Sequence, residues 1–238
     1  MDKILKNQKK KHKKHNIIIN TNLYGSNQHD TQTYKQAINM NILLASQSPA
    51  RARLLKNAKI KFITVDHGVN EEEIKATMVQ HEPADIAVKL AECKALQAAL
   101  VNPGSLVIGA DQVLDFKGKL FNKVKNEKEA FEQLKKLNGE EHTLITSTVI
   151  ALNKKLIWKH LDKSKMKMRS LNDQTIKSYI KNTNKKTLSL VGVYAIEEEG
   201  IKLFEKINGD FFSIQGLPML PLMQFMWDNK ILFNKHDQ

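Results

Sequence analysis

A chain of 238 residues with one cysteine forms no intramolecular disulfide and no zinc site built on several thiolates. That lone residue, Cys93, falls in a helical stretch and reads as a packed thiol. The scarcity fits a reducing compartment, and a cytoplasmic location is expected. Long hydrophobic runs are also missing. Nothing approaches the ~18 apolar residues of a membrane span, so no membrane role is expected. Aromatics make up only 6% of the chain, and no aromatic-basic platform for stacking nucleic-acid bases is visible. The ten glycines assemble neither a Walker A loop nor a dinucleotide fingerprint, and no His-Glu-x-x-His or Gly-x-Ser-x-Gly occurs. His142 follows Gly139-Glu140-Glu141 with no nucleophile paired to it in the sequence.

Charge is plentiful but uneven. The net charge is +13, and the first 39 residues hold eight Lys against two Asp. That stretch is rich in Asn, Gln, Lys and His, and its one apolar cluster, Ile17-Ile18-Ile19, is short. Such a composition cannot bury enough surface to offset the entropy of ordering, so residues 1–39 are expected to be a disordered basic leader. It also lacks the apolar core and cleavage site of a secretory signal. A nucleic-acid arm, a poorly formed targeting segment and translated leader upstream of the true start all fit it; Met40, just before the first strand-like run, favours the last. On charge alone, a basic nucleic-acid-binding or regulatory module without catalysis stands as the alternative to an enzyme. The weak aromatic content makes a nucleic-acid partner the less expected of the two.

Hydropathy patterning divides residues 40–234 into alternating elements. Strands are predicted at 40–45 and 61–65, with a helix at 50–57 after Ser48-Pro49. Residues 66–81 read as an acidic loop with some helix. Glu82-Pro83 opens a long helix to about residue 100, with Ile86, Leu90, Ala91, Ala95 and Leu96 at helical spacing. A buried strand from Leu106 is expected to end near Asp111, with a separate hairpin over 113–121 turning at Lys117-Gly118. A helix capped by Asn126 follows, then β-rich runs at 142–152 and 156–169 and a helix from about 170 to 181. Short strands are expected at 194–196 and 201–207, and a last apolar helix after Gly216-Leu217-Pro218. The order predicts a mixed α/β fold, a twisted sheet extending through two lobes with a central cleft.

Within that frame a few residues can carry chemistry. Asp111 ends Leu106-Val107-Ile108-Gly109-Ala110-Asp111, and ligands of open α/β sheets bind beyond the carboxyl ends of strands. Taken alone it can equally open a turn. Ser46, Ser48 and Arg51 surround a helix start, a natural anion site, although an ordinary capped helix explains them too. Glu71, Glu72 and Glu73 form an acidic run, and one of them with Asp111 would meet the needs of Mg²⁺, which takes one or two carboxylates plus substrate phosphates. A solvated helix start explains the run as well. Lys94 matters only if its helix edge lines a cleft; Lys123, returned beside Asp111 by the hairpin, can hold phosphate as a point charge. Glu197 lies beyond the Gly192-Val193-Tyr194 turn, and Gly216-Leu217-Pro218 leads into another helix N-terminus.

Taken in order, these segments resemble the Maf family of nucleoside triphosphate pyrophosphatases over residues 40–232. The family's Ser-x-Ser-Pro-Arg-Arg resembles Ser46-Gln47-Ser48-Pro49-Ala50-Arg51, and its Gly-Ala-Asp is Gly109-Ala110-Asp111. Its Gly-Lys-Pro resembles Asn122-Lys123-Val124, its Gly-x-x-His is Gly139 to His142, and its Gly-x-Tyr and Gly-Leu-Pro are Gly192-Val193-Tyr194 and Gly216-Leu217-Pro218. The resemblance implies the fold of the Maf and inosine triphosphatase group and cleavage between the α and β phosphates with a divalent cation, Mg²⁺ or Mn²⁺. Asp111 would be the catalytic carboxylate, acting on the water itself or through the metal, and Glu71 a second metal carboxylate. Ser46, Ser48, Arg51, Lys94, Lys123 and Glu197 would bind substrate. A homodimer is expected at family level. Ala50 replaces one Arg of the opening pair, and Glu197 stands where the branch acting on dTTP and UTP has Gln. That departure points toward the branches acting on other or modified nucleotides, including 7-methyl-GTP.

Overall fold

A computed structural model describes residues 40–232 of the chain; the expected leader, residues 1–39, lies outside the described residues. Strand β1 (Ile42–Ala45) leads into helix α1 (Pro49–Asn57), then the short strand β2 (Ile63–Thr64). Helix α2 (Glu71–Thr77) is followed by the long α3 (Pro83–Val101), strand β3 (Leu106–Phe116) and its hairpin partner β4 (Lys119–Phe121). Next come α4 (Glu127–Leu137), the long strands β5 (Glu141–Leu152) and β6 (Lys155–Met168), and helices α5 (Asp173–Asn182) and α6 (Lys185–Leu188). A 3₁₀ turn (Glu199–Leu203), β7 (Phe204–Asn208), α7 (Phe211–Ile214) and α8 (Met219–Asp228) complete it. Asparagines set several helix starts: the side chains of Asn70, Asn126 and Asn172 accept the N–H of Glu73, Glu129 and Thr175.

The strands form one mixed sheet of order β2-β1-β3-β5-β6-β7, with β4 also on β3. This bears out the mixed α/β expectation. β1 pairs in parallel with residues 106–109 of β3, and β4 pairs antiparallel with residues 114–116. Both use the same edge of β3, since β5 occupies the other along residues 107–115. Residues 110–113 are therefore a gap in that edge, and the sheet splits into two lobes there. Each lobe has its own apolar cluster. One joins Leu44, Leu55, Ile108, Leu222 and Met226; the other joins Leu134, Leu144, Met166, Ile176 and Phe204.

Several sequence expectations need correction. Asp111 does not follow the strand: β3 is a single element of 11 residues, and Asp111 sits in its middle opposite Ser147. The expected separation of strand and hairpin fails because β5 templates β3 without a break. The expected strand at 61–65 shrinks to Ile63–Thr64, which alone pair with Leu43 and Leu44. No strand forms at 194–196. Val193 takes φ 61 and its N–H bonds Leu190 O, which turns the chain there. The strand expected from 201 starts at Phe204, because the 3₁₀ turn occupies the residues before it.

Gly109 controls how the long helix seats on the sheet. A Cβ there would lie 2.5 Å from Ala91 O and 2.7 Å from the Ala95 Cβ, so α3 touches β3 backbone directly. Gly109→Ala is expected to lower stability by about 1–3 kcal/mol, the usual range for overpacking. A urea midpoint equal to the parent's would show that α3 has slack at this point.

Candidate active site

The gap in β3 opens into a cavity of about 660 Å³ between the lobes, within the usual range for small-molecule sites. All eight residues singled out in the sequence line it. Ser46, Ser48 and Arg51 come from the β1–α1 junction, Glu71 from the start of α2, and Lys94 from α3. Asp111 comes from β3, Lys123 from the segment after β4, and Glu197 from the loop before the 3₁₀ turn.

At the floor, Asp111 and Gly109 share the face of β3 that α3 covers, so the close seating at Gly109 also delivers Lys94. Its Nζ donates to Asp111 Oδ1 at 2.6 Å and lies 2.7 Å from Glu71 Oε1. Lys94 and Asp111 are buried, at 4% and 6% exposure. The sequence placed Lys94 on a helix edge of uncertain use; here its ammonium joins two carboxylates. Burial alone would raise the Glu71 pKa, but the Lys94 charge and hydrogen bond, with Lys123 and Lys75, more than offset it. Its carboxyl titrates below the ordinary glutamate range and stays ionised at neutral pH.

Arg51 is more committed than its sequence context implied. Its buried guanidinium donates from Nε to Gly216 O at 2.7 Å, and from Nη1 to Ser46 Oγ and Ala110 O, both at 2.9 Å. It clasps three segments around the gap in β3. Gly216 takes φ +100, a conformation L side chains rarely adopt, and this turns its carbonyl toward Arg51. Ser48 N-caps α1 without a side-chain bond, and its N–H instead donates to Ser46 Oγ at 3.2 Å. Arg53, out of register with the family's second arginine, forms an ion pair with Glu197 and so bridges the lobes.

Three further residues line the cavity: His67 and Gln112, which carried no sequence signal, and Tyr194, which belongs to the Gly-x-Tyr segment but was given no role of its own. The Nδ1 of His67 accepts the Val69 N–H at 3.0 Å, and its Nε2 lies 4.0 Å from Glu71 Oε1. Burial, then the Lys94 charge, lowers its pKa, so the ring is neutral with the proton on Nε2. Gln112, next to Asp111 but on the opposite face, reaches Thr146 Oγ1, Ser213 O and Ile214 O. Tyr194 lines the cavity from residues 189–197, with its hydroxyl 2.6 Å from His142 Nε2.

His142 is nearly fully buried, and burial pushes its pKa down to about 4. The unfolded chain titrates this group near 6.5, so between the two values the unfolded state binds the extra proton. The contribution is complete above pH 6.5 and is lost as pH falls toward 4, by roughly 3 kcal/mol for a shift of this size. Urea midpoints taken from pH 8 to pH 4 are expected to fall more steeply for the parent than for His142→Gln. Parallel curves would remove this contribution.

A divalent cation fits the donor chemistry of the floor. Among the described residues no group of three or more His, Cys, Asp or Glu is arranged as a metal cage. Asp111 and Glu71 nevertheless bring hard oxygens to within 2.6 and 2.7 Å of the same Lys94 Nζ, and an ion that takes its remaining ligands from substrate phosphates and water needs only one or two such carboxylates.

Fold and site together define a mixed α/β cleft protein with an acid–base–acid cluster at its floor and cationic side chains around it. The chain belongs to the Maf family: the family model for Maf-like protein matches residues 41–228. A 7-methyl-GTP pyrophosphatase from Brucella abortus biovar 1 (strain 9-941) is 42% identical over 184 residues, covering 76% of this chain and 92% of the relative. A nucleoside triphosphate pyrophosphatase from Caulobacter vibrioides (strain ATCC 19089 / CIP 103742 / CB 15) is 42% identical over 187 residues, covering 78% and 94%. One from Ruegeria pomeroyi (strain ATCC 700808 / DSM 15171 / DSS-3) is 38% identical over the same length and coverage. Among solved structures, a HAM1 protein from Coxiella burnetii aligns with a TM-score of 0.34 at 16% identity, covering 54% of this chain and 73% of that one. Among the described residues no helix is long and apolar enough to cross a membrane.

Proposed function

We propose that this chain hydrolyses nucleoside triphosphates, modified purine nucleotides such as 7-methyl-GTP among them, to the nucleoside monophosphate and pyrophosphate. The observation that carries this is the Asp111–Lys94–Glu71 cluster, with Asp111 and Lys94 buried and Glu71 partly exposed, at the floor of a cleft large enough for a nucleotide. Asp111 accepts the proton of the attacking water, and Lys94 orients that carboxylate through its hydrogen bond. Lys94 and Lys123 hold triphosphate oxygens, with Ser46, Ser48 and the α1 N-terminus as polar contacts and Arg51 fixing their positions. Asp111 and Glu71 are the carboxylates that would hold Mg²⁺ or Mn²⁺, which would supply charge neutralisation on the phosphates and an activated water. Glu197, set by Arg53, contacts the nucleoside end and turns preference away from dTTP and UTP. Residues 40–234 are the catalytic unit, acting in the cytoplasm as a homodimer.

The test is pyrophosphate release from a panel of ordinary and modified triphosphates, with and without Mg²⁺, by the full chain and by a chain lacking residues 1–39. Metal-dependent release that survives the deletion, and that Glu197→Gln shifts toward UTP or dTTP, supports the proposal. DNA binding without any release would support the basic module instead.

A further inference from the structure

Residues 189–197 form one wall of the cavity without belonging to any strand. Within the cavity that also holds the charged floor, this wall offers Val191, Gly192, Ala195 and Ile196 as apolar and backbone surface suited to a base. The wall carries strain. Val193 is β-branched and buried, yet it takes φ 61, a conformation such residues avoid. A strained segment persists only where its surroundings over-determine it, and three side chains behind the wall do so. Gln133 Nε2 from α4 donates to Val191 O at 2.5 Å. The Tyr179 hydroxyl from α5 donates to Val193 O at 3.0 Å. His142 Nε2 from β5 is 2.6 Å from the Tyr194 hydroxyl.

The chemistry of His142 sharpens the point. Among the described residues its Nδ1 is buried with no partner, and the bond to Tyr194 is the only hydrogen bond its ring makes. It packs among aromatic rings, near Tyr194 and Phe204, where a phenylalanine would fill the space without an orphaned nitrogen. What histidine adds is a grip on Tyr194. Gly192 supports the same ring, since a Cβ there would overlap its edge.

We propose that His142, with Tyr179 and Gln133, is a positioning residue that sets nucleoside selectivity by holding residues 190–194 in their strained conformation. The proposal rests on the cavity being a nucleoside triphosphate site. It separates two halves of one ligand: the positioning residues govern the fit of the nucleoside, while the floor governs the phosphates.

The test compares the parent with His142→Phe, His142→Gln and Tyr179→Phe. Steady-state kinetics are run on the best triphosphate of the panel, with inorganic tripolyphosphate, which has no nucleoside, as competitive inhibitor. His142→Phe is expected to raise KM by about tenfold, as loss of one buried hydrogen bond does, with kcat little changed and the tripolyphosphate Ki unchanged. His142→Gln, which can still reach the Tyr194 hydroxyl, is expected to recover part of that loss. Tyr179→Phe removes one hydroxyl and no ring, so it carries the same expectation should His142→Phe fail to fold. An active parent whose folded variants keep the parental KM, or whose tripolyphosphate Ki rises in step with KM, overturns the positioning role alone. A parent that hydrolyses no triphosphate overturns the activity itself.

Discussion

Asp111→Asn is expected to lower turnover by a hundredfold or more while leaving the fold intact, taking ~10²–10⁴ as the usual worth of acid–base catalysis. The exchange keeps the shape of the side chain and removes its charge and basicity. Asp111 sits in the middle of β3, held by the ladder with β5, so its backbone has no reason to move. The Lys94 ammonium retains Glu71 as a partner at 2.7 Å, so the variant leaves no buried cation without a counter-charge. Turnover measured at saturating substrate and metal checks this. A near-parental rate would remove Asp111 from the chemistry and return it to a structural role.

The second large effect belongs to Lys94. Lys94→Met leaves Asp111 and Glu71 facing one another with no cation between them, in a site where Asp111 is only 6% exposed. Breaking a buried pair by removing one partner costs about 3–5 kcal/mol. For a domain of this size the low end of that range corresponds to a fall in Tm of about 6–12 °C. Activity is expected to fall by at least about a hundredfold as well, since the oriented carboxylate and a phosphate contact are lost together. The double variant Lys94→Met/Asp111→Asn separates the causes. Without the second buried charge it is expected to recover about 1–3 kcal/mol relative to the sum of the single changes. Strict additivity in thermal melts would mean that the two groups do not interact.

The site was more legible in the sequence than the geometry that makes it. Asp111, Glu71 and Lys94 each had a bland explanation; Asp111 rose above it as part of one of six short motifs in order, and Glu71 and Lys94 only through the family resemblance those motifs carry. Sequence pattern cannot show that Gly109 seats α3 so closely that Lys94 lands between the two acids; that is a tertiary contact 17 residues long. Nor could it place Asp111 correctly along its strand. Ala110-Asp111 reads locally as a strand end, yet β5 pairs with residues 107–115 of β3 and carries the ladder four residues past it. The special feature is on the other edge of β3, where β1 stops at Gly109 and β4 starts at Leu114. Local pattern also suggested a strand at 194–196, where the chain is instead turned at Val193 by bonds from α4, α5 and β5. Long, periodic elements such as α3 and α4 were legible because one amphipathic face specifies them. In residues 189–197 only the turn at Gly192-Val193-Tyr194 was legible, because distant side chains fix the rest of the conformation.

Phosphorus NMR of the products most directly tests the claim that the Asp111–Lys94–Glu71 cluster serves cleavage between the α and β phosphates. The purified full chain is incubated with Mg²⁺ and, in turn, GTP and 7-methyl-GTP. Resonances of the nucleoside monophosphate and pyrophosphate are expected to grow in equal amounts, and neither should appear with Asp111→Asn over the same time. Nucleoside diphosphate with orthophosphate, or pyrophosphate formed equally fast by Asp111→Asn, would contradict it.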